Sequence, residues 1–302
     1  MAPSPAKSPA ASEVLGRIRS GFEALTPELR RGARWVADHP GETALQSMRQ
    51  QARAAGVSAP TMLRLARALG FADYAALRRP FQEAMTGGFL QRRASALQAA
   101  PESRRTRRLA QELTGAQIDD VRSVLALNSA ALIDAVVGAI AAARRVGFLG
   151  VRSSFGIAFQ FRYAYNLIAR NGVLFDGLAG TVHDQVDTLD RGDVLIAISQ
   201  TPYSTPTVEA VDAASRRGVT VVALTDSVVS PLARRATHAL RYRADSVSFF
   251  PSMIAPLALV ELLLARLAAR GGKAVLERLT EVERRLASQR AYWTPEAKRA
   301  GA

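Results

Sequence analysis

From Glu13 to Met85 apolar residues recur every three or four positions, the spacing of amphipathic helices, and each run stops sharply. Thr26 followed by Pro27 opens a helix whose inner face is Leu29, Ala33, Val36 and Ala37, and His39-Pro40-Gly41 ends it. Ser47 and Gln50 have the spacing of a capping box. Met48, Ala52 and Ala55 mark the inner face of the helix they start, which runs up to Gly56. A further helix follows at once, with Ser58 as cap, Pro60 in its first turn, a buried stripe of Met62, Leu65 and Leu69, and a stop at Gly70. The pattern breaks at Thr86-Gly87-Gly88. The run Arg104-Arg105-Thr106-Arg107-Arg108 reads as a solvated helix face, and helical spacing returns from Ile118 to Ala143.

Beyond that point the period changes. The β-rich runs Val146 to Leu149, Val194 to Ile198 and Val219 to Leu224, with weaker ones at Val173 to Phe175 and Ala239 to Tyr242, alternate with helical stretches. Continuously apolar strands separated by helices predict βαβ units and a parallel sheet covered on both faces. Two helices, Met253 to Ala269 and Val275 to Ser288, close the pattern around Gly271-Gly272.

Composition narrows the chemistry. The 302 residues include no cysteine, which removes disulfides, thiol nucleophiles and Cys-based zinc sites, and the only histidines are His39, His183 and His238. Neither a metal nor a cofactor is expected. The apolar stretch Ile254 to Leu264 is interrupted by Pro256 and Glu261 and falls short of the ~20 residues of a membrane span. A soluble, cytoplasmic protein with no membrane partner is the expectation. Net charge is +14, and residues 1–110 hold most of the excess, with 18 Lys/Arg against 8 Asp/Glu. A basic third of this kind suits a polyanion, nucleic acid first, although an Arg- and Ala-rich chain from a high-GC gene has the same composition.

Residues 48–69 meet the steric needs of a helix-turn-helix. Ala52 is small where the helices cross, Gly56 supplies the turn, Val57 plugs the junction, and Met62 and Leu65 face inward. Ser58, Ala59, Pro60, Thr61, Arg64 and Arg67 then fall on or near the outer side of the second helix, facing base edges and phosphates of a double-stranded DNA operator. A plain helical hairpin is the alternative. The stretch from Gly56-Val57-Ser58 through Thr61 and Arg64 to Leu69-Gly70-Phe71, with Tyr74 and Leu77, closely resembles the N-terminal domain of the RpiR family of bacterial transcriptional regulators. The resemblance covers about residues 13–85 and implies a second domain of the sugar isomerase (SIS) type.

The α/β half carries two hydroxyl-rich strand-to-helix turns, Gly150-Val151-Arg152-Ser153-Ser154 and Ser199-Gln200-Thr201-Pro202-Tyr203-Ser204-Thr205. Such turns offer N–H groups, hydroxyls and a helix dipole to an anion, and neighbouring parallel strands place both at one sheet edge. Either turn alone reads as simple capping; two at equivalent points favour a shared pocket. Gly150, Arg152, Ser153, Ser154, Ser199, Thr201, Tyr203, Ser204 and Thr205 are its candidate residues. Over about residues 120–242 this half resembles a SIS domain, whose Gly-x-Gly-x-Ser and Ser-x-Ser-Gly-x-Thr turns hold a sugar phosphate. Gly150 and Ser154 fit the first, and Ser199, Thr201 and Ser204 the second. Arg152 and Pro202 stand where that pattern has glycines, which alters the phosphate cradle. The implied ligand is a sugar phosphate or another small anionic metabolite.

The expected organisation is multidomain: a tail (1–12), an all-α helix-turn-helix domain (13–86), a linker (87–117), an α/β SIS domain with C-terminal helices (118–290) and a second tail (291–302). The rival function is a sugar-phosphate isomerase, which needs a base near the substrate. Glu209, Asp226 and His183 are the candidates, and the sequence pairs none of them convincingly, so no catalytic residue is expected. A ligand-responsive regulator acting as a homodimer or homotetramer is the reading.

Overall fold

The computed structural model describes residues 11–86, 89–99, 105–244 and 246–293. Most of the two tails, the Gly87-Gly88 break and Arg104 of the arginine run lie outside them. The described residues open with α1 (Ala11–Gly21), α2 (Pro27–Asp38), α3 (Pro40–Leu45), α4 (Met48–Ala54), α5 (Ala59–Ala68) and α6 (Tyr74–Thr86). Their apolar faces meet in one core that includes Val14, Ile18, Val36, Met62, Leu65, Leu77 and Phe81. The expected stop at His39 is real, but Pro40 restarts a helix immediately, since proline is tolerated at a first helical position. Thr26 sits at its N-cap without a side-chain bond, whereas Ser47 and Gln50 form the full capping box.

The stretch expected to be a linker carries α7 (Phe89–Gln98) and most of α8 (Arg105–Leu127), followed by α9 (Ala130–Ala142). The α/β half then alternates β1 (Val146–Leu149), α10 (Phe155–Ile168), β2 (Gly172–Phe175), α11 (Val182–Asp187), β3 (Val194–Ile198), α12 (Thr205–Arg216), β4 (Thr220–Thr225) and β5 (His238–Arg241), and ends with α13 (Ile254–Arg270) and α14 (Gly272–Ser288). All strand pairs are parallel, in the order β2-β1-β3-β4-β5.

Both faces of the sheet are covered, which explains the uninterrupted apolar strands. Phe148, Ile196, Ile198, Val222 and Leu224 pack on one side with residues of α9, α10 and α13. Leu149, Leu195, Ala197, Val221 and Ala223 pack on the other with α11 and α12. The chain moves from β1 outward to β2 and then crosses back to β3 on the opposite side. The crevice at the carboxyl ends of β1 and β3 is therefore the topological switch point, where open α/β sheets bind ligands.

Candidate functional site

At the junction of α4 and α5 the backbone reverses through Gly56 in a left-handed conformation (φ 64°). The Val57 N–H reaches back to the Ala52 carbonyl at 2.9 Å, the long bond of a Schellman ending. Gly70 ends α5 in the same way, with Phe71 N–H bonded to the Ala66 carbonyl. Met62, Leu65 and Ala66 are fully buried, and α2 approaches closely because a Cβ on Gly32 would meet Met62 Sδ at 3.0 Å. Buried Gln51 fixes the frame. Its Nε2 donates to the Thr43 and Gln46 carbonyls at 3.0 and 2.8 Å, and its Oε1 accepts from the Tyr74 hydroxyl. Burial raises the Tyr74 pKa, so the phenol stays a donor.

Ser58, Pro60, Arg64 and Arg67 are exposed on the outer side of α5, and Ala59 is half-buried. Thr61 differs from the outward position expected for it. It is 2% exposed because its hydroxyl lies 2.8 Å from the Ser58 hydroxyl within the cap, while Arg64 Nη2 donates to it at 3.1 Å. Thr61 therefore orients Ser58 and Arg64 and presents no surface of its own. Arg49 and Arg53, both exposed on α4, extend the basic face.

In the α/β half a cavity of about 420 Å³ opens at the switch point. Val151, Arg152, Ser153 and Ser154, after β1, form one side, so the positive end of the α10 dipole lies at the cavity. Ser199, Gln200, Thr201, Pro202 and Ser204, after β3, form the other. Leu90 and Gln91 of α7 and Phe250 and Pro251 complete the lining. Three of the nine candidates stand off it. Gly150 acts through packing, since a Cβ there would lie 2.5 Å from the Ser154 carbonyl oxygen. The Tyr203 hydroxyl donates to Asp226 Oδ1 at 2.7 Å and the Thr201 N–H to Asp226 Oδ2 at 3.1 Å, so Asp226 braces the turn. Burial and the adjacent Asp226 charge both push the Tyr203 pKa up, keeping the phenol protonated. Thr205 is the first residue of α12.

The Ser204 hydroxyl makes no cap bond, although Ser204 is the N-cap of α12, and its N–H donates to Ser199 Oγ at 3.3 Å. Gln200 is 5% exposed; its Nε2 donates to the Ser252 carbonyl at 3.3 Å while its Oε1 is buried with no partner among the described residues. Arg152 sits at φ 56°, and no described carboxylate pairs with it. Among the described residues it is the only charged one lining the cavity.

The rival acid–base candidates do come together. His183 Nε2 lies 3.2 Å from Glu209 Oε2, but the pair sits half-exposed between α11 and α12, off the cavity lining. Among the described residues no three His, Cys, Asp or Glu converge on a metal-sized site, and no single helix is long and apolar enough to cross a membrane.

Two family models match the chain. Residues 12–86 match the helix-turn-helix domain of the rpiR family, and residues 139–266 match the SIS domain. The chain belongs to the RpiR family. The curated relatives it matches first are bifunctional proteins named glk, as in Burkholderia orbicola, at 30% identity over 243 residues. That match takes in 76% of this chain, which spans only about a third (35%) of their length. The HTH-type transcriptional regulator HexR of Pseudomonas aeruginosa is 27% identical over 232 residues, covering 75% of this chain and 78% of HexR. The sugar isomerase domain of an RpiR transcription factor from Sphaerobacter thermophilus superposes with a TM-score of 0.56 at 31% identity, over 58% of this chain and 98% of that one. The NanR protein of Vibrio vulnificus, complexed with ManNAc-6P, shares the fold with a TM-score of 0.61 at 21% identity, over 92% of this chain and all of that one.

Proposed function

We propose that this RpiR-family chain is a transcriptional regulator that reads a double-stranded DNA operator with α5 and senses a small anionic metabolite, a phosphosugar first, in the switch-point cavity. In this reading residues 13–86 are the DNA-reading unit, 118–290 the sensing unit and 87–117 the connection between them. The cavity carries the proposal. It combines one cation, Arg152, the dipole end of α10, and hydroxyls on Ser153, Ser154, Ser199, Thr201 and Ser204, a set suited to phosphate oxygens and sugar hydroxyls. The ManNAc-6P bound by NanR supports the same ligand class.

Sensing is favoured over conversion because the described lining holds no carboxylate or imidazole to move a proton between carbons. The His183–Glu209 pair stands outside it. Duplex DNA as the partner puts the protein in the cytoplasm, acting as a homodimer or homotetramer so that two recognition helices meet two half-sites. The exposed ring row Phe155, Phe159 and Tyr163 on α10, with successive centroids 6.3 Å apart, supports self-association through that helix.

A thermal-shift screen of sugar phosphates, amino-sugar phosphates and small organic acids tests the sensor, because a ligand that binds only the folded state raises the melting temperature. Stabilisation by a phosphosugar, lost in Ser154→Ala and Ser204→Ala, is expected. Turnover of that compound above about 1 s⁻¹ would instead establish an isomerase. Arg64→Ala should weaken operator binding by about 1–3 kcal/mol if it contacts a base, or lower the salt slope by about one if it contacts phosphate. Unchanged affinity and slope would displace α5 from the recognition role.

A further inference from the structure

The cavity is lined from two sources. Most of its described lining residues belong to the strand-end turns, but Leu90 and Gln91 come from α7, the next helix after α6, the last helix of the N-terminal core. α7 meets the segment after β5 at the same place. Arg93 Nη1 donates to the Ser248 carbonyl at 3.4 Å, and Phe250 of that segment lines the cavity, as Leu90 does. Leu90 and Phe250 both line the cavity and stay exposed, at 46% and 37%, so two apolar side chains of its lining are not spent on packing within the fold.

We infer that α7 is a wall of the sensing cavity, with Leu90 and Gln91 touching the bound metabolite, so that the helix leading to the DNA-reading unit itself detects what fills the cavity. This rests on the cavity being the effector site. A phosphosugar with its anionic end at Arg152 and Ser154 turns its far end toward α7. There the C–H face of the sugar covers Leu90 and Phe250, and the Gln91 amide meets a ring hydroxyl. Occupancy then adds contacts that exist only while α7 is docked, and binding of the metabolite and docking of α7 strengthen each other by the same factor. Any arrangement of the DNA-reading unit that lifts α7 away lowers metabolite affinity, and the metabolite disfavours that arrangement equally.

The absence of cysteine allows a test that needs no natural ligand. In Leu90→Cys the introduced thiol is the only one in the chain, and its alkylation rate by iodoacetamide reports its surroundings. Ser153→Trp in the same background places an indole in the cavity from the opposite side. A change of at least fivefold in alkylation rate, with the melting profile still cooperative, is expected. Equal rates would overturn the inference. A second arm uses glucose 6-phosphate, N-acetylmannosamine 6-phosphate and ribose 5-phosphate, with inorganic phosphate as the control. For whichever stabilises the wild type, Leu90→Ala/Gln91→Ala should weaken binding at least fivefold while leaving the ligand-free melting temperature unchanged. Full affinity in that variant would overturn the wall. If none of the compounds stabilises the wild type but the indole still alters the rate, the wall stands and the proposed metabolite class falls.

Discussion

At the scale of single residues, Arg152 is where local energetics and function pull apart. Its left-handed backbone costs a side-chain-bearing residue about 1–2 kcal/mol that glycine avoids, and the SIS pattern indeed has glycine there. In return it places the only charge of the described cavity lining beside the α10 dipole. Arg152→Gly should therefore leave the empty protein as stable as the wild type, or slightly more so, while phosphosugar affinity falls about tenfold, the worth of one charge-assisted hydrogen bond. Calorimetric melting paired with ligand titration checks both halves, and a variant losing stability and affinity together would remove strain as the explanation. Thr61 teaches a related lesson. Helical spacing put it on the outer side, but its hydroxyl joins the α5 cap and its side chain is buried.

Elements are pinned by a few polar ties at their ends. Asp193, at the start of the β3 region and fully buried, receives Arg144 through Nε and Nη2 at 3.0 and 2.9 Å and the Asp190 N–H at 2.9 Å. It thereby ties the entry to β1 to the entry to β3, the two strands that flank the cavity. Burial by itself would raise its pKa; the Arg144 bonds, the Asp190 N–H and the nearby Arg145 charge outweigh that and hold the carboxyl below the usual range. A pKa lower in the folded than in the unfolded chain gives stability that is complete above about pH 4 and is lost as pH falls through the folded value. Asp193→Asn should lower stability by about 1–3 kcal/mol near neutral pH, and its melting curve should converge on the wild type only in strongly acid solution. A gap between the two curves that stays constant down to pH 2 would show that Asp193 titrates elsewhere.

On the scale of the whole molecule, α10 links the cavity to the outer surface. Its N-terminus follows Ser154, and Phe155, Phe159 and Tyr163 run down its open face, with Arg162 stacked over Phe159 at 5.7 Å. A two-fold axis would pair this row with itself, since an isologous contact uses the same patch on both copies. Phe159→Glu should shift the sedimentation profile toward monomer and weaken operator binding, because paired heads are lost, while the monomer keeps its phosphosugar response. An unchanged sedimentation profile would take the oligomer contact away from α10.

Much of this was legible along the chain because it is local. Helix periodicity, the Ser47–Gln50 box, the glycine at 56 and the inward Met62 and Leu65 depend on neighbours within one or two turns. The same holds for the alternation of apolar strands with helices and for the hydroxyls of the two strand-end turns, and these features together sufficed to recognise a helix-turn-helix joined to a SIS domain. Other features arise between residues far apart in sequence, and only the tertiary structure decided them. Leu90 and Phe250 line one cavity, Asp226 braces the turn that holds Tyr203, and His183 finds Glu209 away from that cavity. Local pattern sets what a segment becomes, through backbone propensity and the side it buries. Which distant segments share a cavity depends on how the finished layers stack, and the periodicity of a single segment carries no record of that stacking.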